Sequence, residues 1–291
     1  MILNIIVMDL LMNKLKLIDF LLMFTGKVNR QQLMEIAGIS IATASRALSE
    51  YREEYPGNIS YNIGKRCYEI TNDFIASFKH EVESSLRTVA YGERIENTVM
   101  STTIGPSLFI KPEASLSINV ASMISRSIFQ NKCISLKYVS SSSDKAETET
   151  RFVYPHAIFE SQNKWYLRAL DFEADKYKNF KLVRIKSVDI NNKNIKNIKP
   201  DVDWYKEILL TIAPHSRHPH PRALVQDLGI EEKPILNLKT TAALAGFLLS
   251  EWQVDSSKEA ILNPYYFQYQ LLNRYELTDT DSMIIAPGYK S

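Results

Sequence analysis

The stretch from Lys14 to Ile70 restricts this chain most, because hydrophobic period, capping residues and turn chemistry agree there on one arrangement. Leu15, Ile18 and Leu22, with Phe24 or Thr25, fall on one helical stripe, and Gly26 sits where a helix C-cap belongs. Asn29 followed by Gln32 is a capping-box pattern that opens a second helix carrying Leu33 and Ile36. That helix stops at Ala37-Gly38-Ile39. Ser40 is then an N-cap for a third helix from Ile41 to about Glu54, ended by Pro56-Gly57. Ile59-Ser60-Tyr61, a turn at Asn62-Ile63-Gly64, and Lys65 to Ile70 follow as strand, turn and strand. Three helices with a short glycine-containing turn before the third, and a hairpin directly after it, predict a winged helix-turn-helix.

The side chains of the third helix separate this reading from a purely structural three-helix bundle with a hairpin. Its core side carries Ala44, Ala47, Leu48 and Tyr51, which leaves Ile41, Thr43, Ser45, Arg46 and Ser49 facing water. A helix that enters the major groove needs such a face, small and polar with one long cation. Arg46 can fork onto a guanine edge, and Thr43 and Ser45 can reach bases or phosphates. The predicted DNA-contacting set is Ser40, Thr43, Ser45, Arg46 and Ser49, with Lys65 and Arg66 of the wing against the phosphate backbone. Ala37 to Leu48 also resembles the reading head of bacterial repressors of the lac type. Residues 12–72 hold eight Lys and Arg against six Asp and Glu, which is weak for a lone DNA-binding module. A dimer that doubles the contacts on paired half-sites is therefore expected.

Composition bounds the rest. At 291 residues the chain is long enough for roughly two or three domains. No apolar run reaches the roughly 18 residues of a membrane span. Two cysteines far apart, Cys67 and Cys133, exclude a disulfide scaffold and a cysteine-rich zinc site, and a reducing cytoplasm fits that usage. Met1 to Leu11 is apolar but has no basic segment and no small-residue cleavage site, so no signal peptide is expected; Met8 and Met12 are alternative starts.

From Asp73 to about Ala90 the pattern is that of a connecting helix, and Tyr91 to Lys111 is turn-rich. A helix after Pro112 should bury Leu116, Val120, Met123, Ile124 and Ile128. The period then changes to two, with strands expected at Cys133–Tyr138, Thr148–Phe159, Lys164–Asp171 and Phe180–Ile190. Such short antiparallel strands predict a small barrel. Residues 131–200 carry fourteen basic against eight acidic side chains, so this middle part is the most cationic. Arg151, Arg168 and Arg184 lie on three predicted strands, with Tyr138, His156 and Tyr166 beside them. If they converge, the cluster suits an anion, because arginine forks bind phosphates bidentately and aromatic faces stack on bases. The alternative is three separate surface arginines with carboxylate partners. Beyond residue 201 a helix is expected over Asp203–Leu210, another over Ala242–Trp252, and strands near Tyr265–Leu272 and Asp281–Ala286.

Nothing in the chain spells an enzyme. There is no G-x-G-x-x-G, no G-x-x-x-x-G-K-[ST] and no G-x-S-x-G among only nine glycines. Cys133 could pair with His156 but opens an apolar strand, which predicts a buried, inert thiol. His215, His218 and His220 crowd one loop, yet their spacing, with two prolines, is a poor tetrahedral set. No catalytic residue, cofactor or metal is expected.

The strand Lys164 to Leu170 contains Trp165-Tyr166-Leu167, the tripeptide that names the WYL domain. Tyr138 with Ser140 and Arg151-Phe152-Val153-Tyr154-Pro155-His156 stand upstream of it, and Phe180-Lys181-Leu182-Val183-Arg184-Ile185 downstream. This order resembles the WYL regulators of the BrxR and CapW group, transcription factors linked to bacterial anti-phage defence operons of the BREX and CBASS kinds. Ala213-Pro214-His215, His220-Pro221-Arg222 and Asp227-Leu228-Gly229-Ile230 are similar to a segment typical of that group. Tyr166 departs from it, since close members often carry histidine after the tryptophan. The resemblance implies an α+β multidomain chain: a winged helix-turn-helix (12–72), a helical linker (73–111), a central Sm/SH3-like β-barrel WYL domain (112–200) and a C-terminal α/β extension of the WCX type (201–291). It further implies a homodimeric, autoregulating repressor of a phage-defence operon, with subunits that exchange domains, reading an inverted-repeat operator. Its ligand-binding set would be Tyr138, Ser140, Arg151, His156, Tyr166, Arg168 and Arg184, holding a nucleotide or short nucleic acid. A second reading makes the middle domain the main nucleic-acid binder, or the protein an activator.

Overall fold

Helix α1 (Ile2–Thr25) runs unbroken through the segment that the sequence leaves as a question of start site, and opens the first of two structural units. The computed structural model describes residues 2–91, 116–140, 148–191, 197–229 and 234–290. The units are Met1–Phe159 with Lys164–Lys196, and Glu160–Asn163 with Asn197–Ser291. Most of the expected turn-rich stretch 91–111 and the serine-rich loop 141–147 lie outside the described residues.

The α1 helix ends as its glycine dictates: Gly26 takes φ 78° and its N–H donates to the Leu22 carbonyl at 3.0 Å. After the short strand β1 (Lys27–Val28), α2 (Arg30–Ala37) starts where Asn29 Oδ1 accepts the Gln32 N–H at 2.8 Å, and stops at Gly38, φ 63°. Helix α3 (Ile41–Glu54) is capped by Ser40, whose Oγ accepts the Thr43 N–H at 3.2 Å. The hairpin follows as β2 (Ile59–Asn62) and β3 (Cys67–Ile70), and β1 adds to β3 in the order β1-β3-β2. Its second strand begins two residues later than the alternation predicts, because the turn takes Ile63 to Arg66, with Arg66 at φ 51°. Leu15, Ile18, Leu22, Phe24, Leu33, Ala44, Leu48 and Tyr51 form the core of this part.

The connecting helix α4 covers only Val82–Tyr91. Residues 72–81, expected to be helical from Asp73, are irregular instead. Competing hydrogen bonds explain the difference. Asn58 Oδ1 accepts the Ile75 N–H at 3.0 Å, Asn58 Nδ2 donates to the Ile75 carbonyl at 2.7 Å, and Asp19 accepts the Ser77 N–H at 3.0 Å. Backbone groups that a helix would pair internally are committed to buried side chains.

Next come α5 (Ile118–Phe129, capped by Ser117), β4 (Cys133–Val139), β5 (Thr148–Ser161), β6 (Lys164–Asp171), β7 (Lys176–Lys181) and β8 (Ile185–Asn191). The expected strand over Phe180–Ile190 is thus two strands, parted by a 3-10 turn at Leu182–Arg184. The sheet order is β7-β6-β5-β4-β8, and among the described residues no pairing of β7 with β8 closes it into a barrel. Trp165, Leu167 and Ala169 of β6 face α5 residues Val120 and Ile124 across one core.

The second unit holds α6 (Val202–Tyr205), β9 (Glu207–Pro214), α7 (Pro221–Asp227), β10 (Leu236–Thr241), α8 (Ala245–Glu251), β11 (Val254–Asp255) and β12 (Tyr269–Leu271). Its sheet runs β10-β9-β12-β11. The helix expected over Asp203–Leu210 is corrected: four residues are helical and Glu207 onward is strand. Period two wins there, since Leu210 and Ile212 are buried while Leu209 is exposed. The strand expected near Asp281–Ala286 is a 3-10 stretch, Asp281–Ile285. It packs against Gly246 of α8, where any Cβ would lie 1.8 Å from the Ser282 carbonyl oxygen. Among the described residues no helix is long and apolar enough to cross a membrane.

Candidate functional site

Helix α3 turns Ala44, Ala47, Leu48 and Tyr51 into the core and leaves Ser40, Ile41, Ala42 and Arg46 exposed, with Thr43, Ser45 and Ser49 partly so. The polar side chains are not equivalent. Ser40 and Thr43 hold each other, Oγ to Oγ1, at 2.9 Å, and Ser45 Oγ donates to the Ile41 carbonyl at 2.9 Å. Ser45 spends its proton on the helix and one of the two protons of the Ser40–Thr43 pair is engaged between them, which leaves the other proton and the lone pairs for an incoming group. Arg46 has no ion pair or side-chain hydrogen bond among the described residues, so its full fork of donors points into solvent. On the wing, Lys65 Nζ lies 2.8 Å from Glu69 Oε1, and Glu69 also accepts from Asn62 Nδ2 at 2.9 Å. Hydrogen bonding and charge from Glu69 hold the Lys65 ammonium above its ordinary pKa. Arg66 stands beside it at the exposed tip.

The middle sheet carries the second candidate. Strand alternation puts Tyr166 and Arg168 on the opposite face of β6 from Trp165, Leu167 and Ala169. Register pairs Tyr166 with Lys181 and Arg168 with Asn179 of β7. Phe159 stacks on Tyr166 with centroids 5.1 Å apart and planes 9° from parallel, and Lys181 Nζ lies 5.9 Å from the Tyr166 ring centre. Arg168 is buried; its Nη1 donates to Asn179 Oδ1 at 3.4 Å and its guanidinium carbon lies 5.6 Å from the Tyr177 ring centre. His156 meets the same Tyr177 ring edge-on at 5.8 Å. Burial, then the charges of Arg184 and Lys164, push the Lys181 ammonium below its usual pKa. Burial raises the Tyr166 phenol, and Arg184 opposes that rise. Burial and the neighbouring cations thus disfavour the charge on Lys181 at this face.

The structure brings together His156, Tyr166, Arg168 and Arg184 of the predicted set. Tyr138 sits at the margin: its ring is edge-on to Phe180 at 5.2 Å and its hydroxyl accepts the Lys181 N–H at 3.3 Å. Ser140 closes the described part of the loop after β4. Arg151 belongs elsewhere. It pairs with Glu149, with Glu173 at 2.7 Å and with Asp171 at 3.7 Å, so its charge is already answered by carboxylates. Tyr177, Asn179 and Lys181 join the face without having been predicted. Lys181 lay within the expected strand, whereas Tyr177 and Asn179 were legible only by extending that strand upstream of Phe180 to Lys176.

The histidine loop has a structural account. Buried His215 accepts the Arg217 N–H on Nδ1 at 3.1 Å, so its Nε2 carries the proton and donates to Asp255 Oδ2 at 3.2 Å. Among the described residues no group of three or more His, Cys, Asp or Glu side chains could hold a metal ion. Cys67 and Cys133 are both buried, and burial raises both thiols above their ordinary pKa.

Three family models match successive parts of the chain. Residues 11–90 match the BrxR transcriptional regulator winged helix-turn-helix domain, 119–190 the WYL domain, and 207–277 the BrxR transcriptional regulator C-terminal dimerization domain. The chain is 25% identical over 272 residues to the DNA-binding transcriptional repressor CapW of Pseudomonas aeruginosa, covering 91% of this chain and 90% of that protein. CapW of Escherichia coli is 27% identical over 216 residues, 69% of each chain. A solved structure, proteasome accessory factor B/C of Arthrobacter aurescens, aligns with 95% of this chain and 48% of its own at 14% identity and a TM-score of 0.26.

Proposed function

From the premise that the chain belongs to the WYL-domain transcriptional regulators of the BrxR and CapW group, we propose that it is a DNA-binding transcriptional repressor acting as a homodimer. The observation that carries this reading is the exposed face of α3, where Arg46 stands uncommitted on a helix whose opposite side is locked into the core. Its residues Ser40, Thr43, Ser45, Arg46 and Ser49 enter the major groove, and Lys65 and Arg66 of the wing lie along the phosphates. Two such helices, joined through the C-terminal domain, read the halves of an inverted repeat roughly 34 Å apart.

The WYL domain, a small Sm/SH3-like barrel when fully closed, is the sensor. Its face of Tyr166, Arg168, Lys181 and Arg184 receives an anion with a flat body, a nucleotide or a short nucleic acid, and biases the dimer toward or away from operator-competent spacing. Such coupling is worth about 1–3 kcal/mol, enough for a roughly 5- to 150-fold change in operator affinity. The operon it controls serves phage defence, in keeping with the group it belongs to.

Fluorescence anisotropy of the full chain with duplex from just upstream of its own gene, beside a scrambled duplex at two salt concentrations, tests the reading. A preference of about 10³ or more for the native duplex is expected, with a salt slope that counts the phosphates contacted. Equal and salt-fragile binding to both duplexes would overturn it and favour the middle domain as main binder.

A further inference from the structure

A solvent-open cavity of about 1180 Å³ lies on the first unit, between the wing and α5 and away from the face of Tyr166 and Arg168. One wall comes from Gly26, Lys27 and the chain from Glu69 to Ala76; the other comes from α5 and the turn after it, Asn119 to Lys132. The cavity is far larger than the voids of a packing defect, which hold a few waters, and has room for a small molecule, whose pockets span roughly 300–1,000 Å³.

The lining has two chemistries. Met23, Phe74, Met123 and Phe129 supply an apolar surface. Lys27, Lys65, Arg126 and Lys132 supply four cations against the single carboxylate of Glu69, which Lys65 and Asn62 already occupy. Among the described residues none of Lys27, Arg126 and Lys132 makes an ion pair. Arg126 is the sharpest feature: its Nε is buried and has no hydrogen-bond partner. Burial alone pulls its guanidinium below the usual arginine range. The unmade Nε donor is costly and is itself shut off from the cavity, so what an occupant can meet is the rest of the Arg126 side chain, which lines the wall and whose charge has no carboxylate partner among the described residues.

We infer that this wing–α5 cavity is a second ligand site, taking a small organic anion whose charged head pairs with Arg126 and whose apolar or aromatic body packs among Met23, Phe74, Met123 and Phe129. The site is separate from the sensing face proposed above and does not depend on the repressor reading. Because its walls belong to the wing and to α5, an occupant touches both elements at once. Gly26 is the joint between them: its carbonyl accepts the Ile70 N–H at 3.0 Å, and its Cα faces Gln130 and Arg126.

The test uses 8-anilinonaphthalene-1-sulfonate, an aromatic sulfonate with both required parts, titrated into the full-length protein and followed by its fluorescence. A saturable component that depends on the cavity residues is expected, distinct from any binding at the WYL face. Arg126→Gln should weaken it by about ten-fold or more, the loss of a charge-assisted hydrogen bond. Asn119→Trp, a bulky change at an exposed position on the cavity wall, should weaken it as much while α5 stays folded; it keeps the test decisive if Arg126→Gln unfolds. Arg168→Gln should leave the cavity-dependent part of the titration unchanged and remove only what the probe binds at the WYL face. Absence of a saturable site, a titration indifferent to both cavity changes, or one abolished by Arg168→Gln alone would each overturn the inference. The last result would assign the probe to the WYL face. None of the three would bear on operator binding.

Discussion

The Tyr51 hydroxyl of α3 donates to Asp19 Oδ1 of α1 at 2.6 Å, in a core where neither side chain meets solvent. His80 approaches the other carboxylate oxygen at 2.8 Å, and Asn58 donates to the Tyr51 oxygen at 3.1 Å. Burial, then the bond to Asp19, push the phenol far above its ordinary pKa, so it stays a donor throughout the working range. One buried carboxylate thereby fixes the recognition helix, the first helix and the chain beyond the wing. Tyr51→Phe removes the donor to Asp19 and one of the acceptors of Asn58, whose Nδ2 keeps the Ile75 carbonyl and Ser77 Oγ. We expect a loss of about 1–3 kcal/mol in urea unfolding. Asp19→Asn combined with Tyr51→Phe should cost less than the two single losses added, because the two share one bond.

In the second unit Asp255 gives a pH signature. Burial works to raise its carboxyl, but hydrogen bonds from Ser257, Leu262 and His215 outweigh it and hold the pKa below the usual value. A depressed folded pKa adds stability that is complete above the unfolded value of about 3.9 and is lost as pH falls through the folded one. The stability difference between wild type and Asp255→Asn should therefore be constant from neutral pH down to about pH 5 and shrink below about pH 4. Thermal melts across that range check it; a difference that widens in acid would contradict the assignment.

Much of this was legible in the sequence, and the reasons are local. Asn29, Ser40 and Gly38 act within one helical turn of themselves, so caps and helix limits from Gly26 to Glu54 follow from spacing alone, and so does the buried stripe of Ala44, Ala47, Leu48 and Tyr51. What was not legible depends on distant partners. Nothing near Asp73 shows that Asn58 and Asp19 will claim the backbone at Ile75 and Ser77. Nothing near Arg151 shows that Asp171 and Glu173, twenty or so residues on, arrive beside it while Arg168 turns to the other face. The helix expected over Asp203–Leu210 failed for the same reason, since pairing of Glu207–Ile212 with β10 decides the conformation there.

Arg46 and Ser45 should separate cleanly in DNA binding. Arg46→Ala removes the uncommitted fork and should cost about 1–3 kcal/mol on the native upstream duplex, with little change on a scrambled one. Ser45→Ala should cost less, because its proton already serves the Ile41 carbonyl. Anisotropy titrations of both variants decide it, and equal losses would mean that Ser45 turns outward on DNA.

Arg151 and Arg168 should fail in different ways. Arg151→Gln strips a partly exposed cation from three carboxylates, one of them the buried Asp171, which keeps Lys178 at 2.8 Å and two backbone N–H groups. We expect a loss of roughly 1 kcal/mol in stability and unchanged affinity for an anionic effector. Arg168→Gln should abolish the effector's influence on operator binding. Thermal melts beside anisotropy with a panel of nucleotides and short oligonucleotides separate the two.

Gly26 should resist any side chain for two independent reasons. Its φ of 78° lies in the left-handed region, where alanine costs about 1–2 kcal/mol. A Cβ there would also lie 2.0 Å from Gln130 Nε2, which now reaches the Thr25 carbonyl at 3.4 Å. Gln130 is a flexible side chain and can withdraw, so the clash is relieved at the expense of that one long bond, whereas the backbone strain has no such escape. Gly26→Ala should accordingly lower stability by about 1–2 kcal/mol, and Gln130→Ala in the same chain should restore only a small part of it. Full restoration by Gln130→Ala would show that contact with α5, and not the backbone of the α1 terminus, fixes glycine at this position.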